Sequence, residues 1–213
     1  MAYKKRHSFS RLEFKDLCQI TNITERINDA AFDPWFNYSY SISHNEEAFL
    51  TQLRDNNRRF LDSYSEKELK AQFIIPLLNQ VNFFHNGIRG WYERPLSGVI
   101  NSFLLRGQTD YMIAKGIETP EKPYFFIQEY KKELGDRHPK NPLLAEMMVA
   151  MQLNEENVMR GAFVISRLWN FVILKKIAAN QYEYFRSPDF DVLKIQELKQ
   201  IYINLQAIKG MFS

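Results

Sequence analysis

The pattern of apolar and polar positions divides the chain into helical stretches, a run of strands, one helix, more strands and a closing helix. The clearest strand is PYFFIQEY at 123–130, an almost unbroken apolar and aromatic run ending in charge, as expected of a central strand covered on both faces. Ahead of it, GWYERPLSGVI and NSFLLRGQTDYMIAKG have strand character, punctuated by Gly98, Asn101 and Gly107 as in a meander or hairpin. Behind it, RGAFVISRLWNFVILKKI reads as a hairpin about a tight turn near Trp169 and Asn170, and QYEYFRS has the pattern of a further strand.

Helical spacing dominates elsewhere. In residues 10–28, Leu12, Phe14, Leu17, Cys18 and Ile20 predict a short helix or two with Ser10 as N-cap. The segment AAFDPWFNYSYSISHN is irregular, and its Trp35, Phe36 and Tyr38 are expected to pack the N-terminal part onto the rest. Two helices follow between residues 45 and 81, broken near Asp62–Tyr64. Ser65 and Glu68 form the capping-box pattern that starts the second, SEKELKAQFIIPLLNQV, and Pro76 should kink it or fall in a distorted turn. NPLLAEMMVAMQLNEEN predicts an amphipathic helix with Asn141 as N-cap, Pro142 at the first position, and Leu143, Leu144, Met147, Met148 and Met151 in the core. A Pro-initiated helix, SPDFDVLKIQELKQIYINLQAIKGMF, closes the chain. This order favours an α/β sandwich of helices around one central mixed sheet, with residues 1–60 as an N-terminal helical extension packed on a domain formed by 61–213.

Composition narrows this picture modestly. A chain of 213 residues suffices for one full domain with an accessory segment. A net charge of +3 neither supports nor excludes a nucleic-acid partner, which needs a local basic face. The single cysteine, Cys18, forbids an intrachain disulfide and a cysteine-based zinc site and is expected as a small buried hydrophobe in a reducing, cytoplasmic setting. No apolar run approaches the roughly 18 residues of a membrane span, so no membrane partner is expected.

The chemistry gathers around residues 107–133. Glu129 and Lys131 are two apart in a strand and share a face, and Asp110 follows Gly107 in the preceding strand. Two carboxylates on neighbouring strands can hold a hard divalent cation, and a nearby ammonium can orient water or steady developing negative charge, which suggests metal-assisted hydrolysis of a phosphodiester. Projected at about 100° per residue, Glu66 falls in the apolar arc of its helix with Leu69, Phe73, Ile74, Leu77 and Val81, whereas Glu68 lies nearly opposite. A core-facing Glu66 must either cap the helix's own free amides or face a cation. Taken singly, Glu66 reads equally as a dipole-stabilising carboxylate and Lys131 as a strand-end ion pair.

Taken together, Glu66 in SEKELKAQFIIPLL, Asp110 in RGQTDYMIA, Glu129 and Lys131 in PYFFIQEYKKE and Gln152 in LLAEMMVAMQLN resemble the PD-(D/E)XK nuclease superfamily. The likeness is nearest to the N-terminal nuclease domain of type I restriction enzyme R subunits and free-standing relatives, and it spans about residues 60–175. It implies a restriction-endonuclease-like core and a Mg2+-dependent endonuclease, with Mn2+ as a substitute. In that reading Asp110, Glu129 and the Tyr130 carbonyl bind metal, Glu66 completes the site, and Lys131 positions or deprotonates the attacking water. Thr109 stands where the superfamily's name has proline, and Glu156 where related subunits carry a tyrosine after the helix glutamine. Gln152 reads equally as helix surface.

The implied substrate is DNA, with RNA not excluded. Phosphate contacts would come from Arg94, Arg106, Lys132, Arg137, Lys140 and His138, which flank the site in sequence and read equally as ordinary solvated surface. His85 and His138 lack zinc-like partners. Without a phosphate-binding glycine loop, translocation would need a separate motor or specificity subunit. The competing reading is a catalytically inactive nucleic-acid- or protein-binding module of the same fold.

Overall fold

The computed structural model describes residues 5–131 and 138–212. The apolar runs assemble into one mixed sheet of nine strands among these residues: β1 (Lys5–Ser8), β2 (Asn22–Arg26), β3 (Ile88–Ile100), β4 (Phe103–Lys115), β5 (Glu121–Lys131), β6 (Val158–Ile165), β7 (Leu168–Ala178), β8 (Gln181–Arg186) and β9 (Phe190–Asp191). The main path runs β1-β4-β5-β6-β7-β8-β2, with β3 on the other side of β4 and β9 beside β7. Contacts of β5 with β6, β1 with β4 and β2 with β8 are parallel; the remaining pairings are antiparallel. The architecture is therefore the expected α/β class, a large mixed sheet flanked by helices.

Each face of the sheet carries its own core. On one face lies α6 (Lys140–Asn154), joined by α1 (Phe14–Ile20), over Met112, Ile127, Phe163, Val172 and Leu174. On the other lie α2 (Asp33–Phe36), α3 (His44–Asn57), α4 (Glu66–Leu69), α5 (Ile75–Val81) and α7 (Ile195–Gly210), over Tyr111, Phe126, Tyr130, Val164 and Phe171. Trp35 is buried here as expected, its indole donating to the Asn204 carbonyl at 2.8 Å and its ring edge-on to Phe171 at 5.0 Å. Tyr38 is 40 % exposed.

Two local expectations are met with added detail. Ser65 caps α4 as predicted: its hydroxyl accepts from Glu68 N–H at 3.3 Å while the Glu68 carboxylate accepts from Ser65 N–H at 2.7 Å. A π-helical turn, Lys70–Ile74, then separates α4 from α5, and Pro76 sits in the first turn after it. Proline has no N–H to give, so the wider turn falls where the regular hydrogen-bond ladder would be interrupted.

Several boundaries fall elsewhere than the pattern indicated. Residues 22–26 form β2 rather than helix, and β1 and β2 place parts of the first sixty residues on the sheet itself. Gly98 and Gly107 lie inside strands; the β3–β4 turn is at Asn101 and Ser102, both at positive φ. Gly107 is required by contact, since a Cβ there would come within 2.8 Å of the Phe9 ring. The β6–β7 turn is at Ser166–Arg167, which leaves Trp169 and Asn170 buried in β7. Helix α6 begins at Lys140 after Pro139, so Asn141 is not its cap, and it is buried on every side from Asn141 to Met151. Helix α7 starts at Ile195, because Phe190–Asp191 pairs with β7 instead. Cys18 is exposed, and Ser10 lies in a short 3-10 turn while Glu13 N–H takes the Asp16 carboxylate at the start of α1.

Candidate functional site

The site arises where β4 loses a neighbour. Strand β3 pairs along one side of β4 except at Asp110, opposite the positive-φ Glu93, while the other side is shared in tandem by β1, opposite Phe103–Arg106, and β5, opposite Tyr111–Lys115. Between Arg106 and Tyr111 that second side is open, and the β4–β5 ladder ends at Tyr111 opposite Gln128. One residue beyond, side chains replace the ladder: Asp110 N–H donates to Glu129 Oε1 at 3.3 Å, and Tyr130 N–H donates to Asp110 Oδ2 at 2.9 Å. Two carboxylates thus satisfy backbone donors that strand separation would have orphaned.

Alternation fixes which way these groups point. Met112 and Ile127 lie in the core under α6, so Asp110 and Glu129, two residues from them, face the same layer. Lys131 ends β5, and its ammonium lies 3.3 Å from Glu66 Oε2. Glu66 reaches round from α4, and its other oxygen is 3.3 Å from Lys70. Of the two sequence alternatives for Glu66, a cation is what it faces. Lys70 also bonds Asp110 Oδ1 at 2.7 Å and stands 4.0 Å from Glu93. Glu66, Asp110, Glu129 and Lys131 are therefore brought together, with Lys70 at their centre. Tyr130 contributes its backbone beside Asp110, while its phenol is buried in the opposite core.

Gln152 is placed elsewhere. Its amide donates to the Val99 carbonyl at 2.8 Å, and it borders a cavity with Asn101, Glu156, Lys176 and Asn180, none of which belongs to the carboxylate cluster. Lys140 and His138 are also committed elsewhere: Lys140 donates to the Tyr184 hydroxyl at 2.8 Å and pairs with Glu25 at 3.5 Å, and His138 Nδ1 accepts from Lys140 N–H. Burial, then the charges of Lys140 and Arg186, depress the His138 imidazole to about 4. Arg94 and Arg106 are exposed, the former near the Trp91 ring; Lys132 and Arg137 lie outside the described residues.

Sequence reading missed two groups. Lys70 comes one helical turn after Glu66, which was its only signal. Glu146 is a glutamate inside the apolar run LLAEMMVAM, and it is fully buried in α6. Counted as a carboxylate, Glu146 has no hydrogen-bond partner for either oxygen; with one proton between them, it and Glu129 can bond to each other. Burial, and then the charge of Asp110, push Glu129 up to about 8. Burial and the neighbouring Glu129 hold Glu146 well above the carboxylate range. Burial alone would lower the Lys70 ammonium, but its bond to Asp110 and the charges of Asp110 and Glu66 raise it above its ordinary value.

No family model matches this chain, and no curated protein matches it.

The donor chemistry suits a hard cation. Asp110 and Glu129 offer oxygen only, and the buried oxygens of Glu146 beside them add hard donors that a cation could use once their proton is displaced. Among the described residues, no group of three or more His, Cys, Asp or Glu side chains is placed to hold a metal ion as it stands. Lys70 supplies the positive charge nearest Asp110, so a divalent ion at Asp110 Oδ1 would exchange with that ammonium.

Proposed function

We propose that the chain is a metal-dependent nuclease that hydrolyses phosphodiester bonds in DNA, in the setting of restriction, defence or repair. The observation that carries this reading is the meeting of Asp110, Glu129, Lys131 and Glu66 at the point where β4 and β5 separate. These residues come from three elements and 66 positions of sequence, yet share one cluster.

Mg2+, or Mn2+ in its place, would be held by Asp110 and Glu129 and would supply Lewis-acid polarisation of the phosphate and activation of water. The chain's own groups do the rest. Lys131, 40 % exposed at the strand end, is available to an entering phosphate and can balance the charge that accumulates on its oxygens in the transition state. Glu66 holds that ammonium in place from α4. Lys70 neutralises Asp110 and, were a cation held by Asp110, could pair instead with Glu66 or Glu93, both within its reach. Tyr130 N–H fixes the orientation of the Asp110 carboxylate, and Asp110 N–H that of Glu129.

A motor or specificity subunit as partner, and a cytoplasmic setting, belong to the same proposal. Among the described residues no helix is long and apolar enough to cross a membrane.

One observation favours a second reading. Lys70 already pairs with Asp110 at 2.7 Å, as it would in a catalytically inactive nucleic-acid- or protein-binding module of this fold. The two readings separate when purified protein is incubated with plasmid, linear DNA, single-stranded DNA and RNA in Mg2+, Mn2+ or chelator, beside Glu129→Ala and Lys131→Ala. The nuclease reading expects metal-dependent cleavage of DNA that both substitutions abolish. Binding without cleavage under every metal supports the module.

A further inference from the structure

Next to the carboxylate cluster, a cavity of about 360 Å³ opens between the end of α5 and the start of β3, with Asn79, Asn82, Phe84, Tyr92 and Tyr111 among its walls. It adjoins the cluster along the chain, on the opposite face of the sheet. Tyr92 pairs across the ladder with Tyr111, the residue after Asp110, and Glu93, the residue after Tyr92, reaches Lys70.

The aromatic walls are fixed before any ligand arrives. Asn82 ends α5 in the left-handed conformation (φ 55°), and its side-chain oxygen accepts from Phe84 N–H at 3.4 Å. His85 and Ile88 then exchange both backbone hydrogen bonds, at 3.0 and 2.8 Å, around Asn86 and Gly87, which are both at positive φ. Asn-Gly suits this tight hairpin turn. Phe84 is thereby held on a stiff backbone with 72 % of its surface exposed. Tyr92, 36 % exposed, is braced by its hydroxyl donating to Asn79 Oδ1 at 3.3 Å and by the Tyr111 ring at 5.0 Å.

Polar groups converge on the same space. Tyr111 is 1 % exposed, lines this cavity and lies across Gly90. A Cβ at position 90 would come within 2.3 Å of its hydroxyl, so Gly90 keeps it in this place. The Asn79 and Asn82 side chains, whose oxygens already accept from the Tyr92 hydroxyl and Phe84 N–H, carry NH2 donors at the rim.

We propose that this cavity takes an unpaired nucleobase of a single-stranded or frayed nucleic acid, stacked on Tyr92 and Phe84, with its edge met by Asn79, Asn82 and Tyr111. A base has the two properties these walls select, a flat π-face and a hydrogen-bonding edge. A base inside a closed duplex exposes neither. The inference rests on the nuclease reading for its choice of nucleic acid, and it narrows the substrate to strands with unpaired bases.

The test is fluorescence anisotropy in chelator, so that no cleavage intervenes, with labelled single-stranded DNA, single-stranded RNA, duplex DNA and a strand of abasic residues. Wild-type protein is expected to prefer a normal single strand, DNA or RNA, to both duplex and abasic strand by about tenfold. Phe84→Ala and Tyr92→Ala should each lose about fivefold or more of that affinity, as base stacking predicts, while Ile177→Ala, on the exposed part of β7, should match wild type. Equal affinity for duplex and single strand, or for normal and abasic strand, overturns the proposal, as does unchanged binding in both variants. The abasic comparison uses wild-type protein alone and does not depend on how the variants fold. Metal-dependent plasmid cleavage is scored separately. Cleavage without strand preference sinks the pocket and leaves the nuclease, whereas strand preference without cleavage does the reverse.

Discussion

Lys70 and Asp110, forty residues apart, form an ion pair of 2.7 Å at the edge of the sheet's open segment. The lysine belongs to a π-helical turn and is 15 % exposed; the aspartate is 18 % exposed. Such a pair holds the cluster together without metal, because a partly buried carboxylate left alone would be costly.

Removing this ammonium should expose that dependence. Lys70→Gln is expected to lower stability in chelator by about 2 kcal/mol, in the range for losing a hydrogen bond to a charged group. Mg2+ should restore part of the loss if the ion takes over the charge at Asp110. Urea unfolding with and without Mg2+ measures both; a variant insensitive to Mg2+ would separate Asp110 from metal binding.

The buried carboxyl of Glu129 predicts a pH dependence whose sign can be worked out. Its folded value of about 8 lies above the ordinary 4.5, so between these the folded state holds the proton more tightly. Stability therefore falls as pH rises through that window, by at most about 1.4 kcal/mol per pH unit for this group, and the raised Glu146 carboxyl adds a fall of the same sign. His138, depressed to about 4 from 6.5, acts oppositely between those values, so the two offset each other below 6.5. The decline attributable to the carboxyls should stand out from pH 6.5 to 8. Urea midpoints across that interval should fall in wild type and fall less steeply in Glu129→Gln, where only the buried Glu146 carboxyl remains to titrate.

Glu146 invites a related substitution. Its carboxyl is fully buried, with no partner unless Glu129 shares a proton with it. Glu146→Leu should raise stability at pH 8 by about 1–3 kcal/mol, since an unsatisfied polar group leaves an apolar core, and by less at pH 5. Metal affinity measured by calorimetry should weaken in the same protein if Glu146 helps hold the site's negative charge. Unchanged affinity would make it a passive neighbour of Glu129.

The parts legible in sequence were those set by local rules. Alternation put Glu129 and Lys131 on one face of β5, the capping box located the start of α4, Pro76 marked the distorted turn, and the helical projection separated Glu66 from Glu68. The illegible parts depended on partners remote in the chain. Strand β2 has one buried residue, Ile23, in five, too short a pattern to outweigh the helical spacing before it. Gly107 looked like a turn residue because nothing local reveals that Phe9 packs on it. Glu146 went unread in a helix expected to be amphipathic, but α6 is covered on every side, so its carboxyl is buried beside Glu129. The β6–β7 turn was displaced because Trp169 and Asn170 are core residues of β7, while Ser166 adopts the positive φ that the turn needs.

The most direct test of the central claim is the rate at which supercoiled plasmid is nicked, measured with Mg2+, with Mn2+ and with chelator for wild type and Glu129→Ala. Nicking that requires metal and falls by about a hundredfold or more in the variant is the predicted result. Absence of metal-dependent nicking, or equal rates in the two proteins, would contradict it.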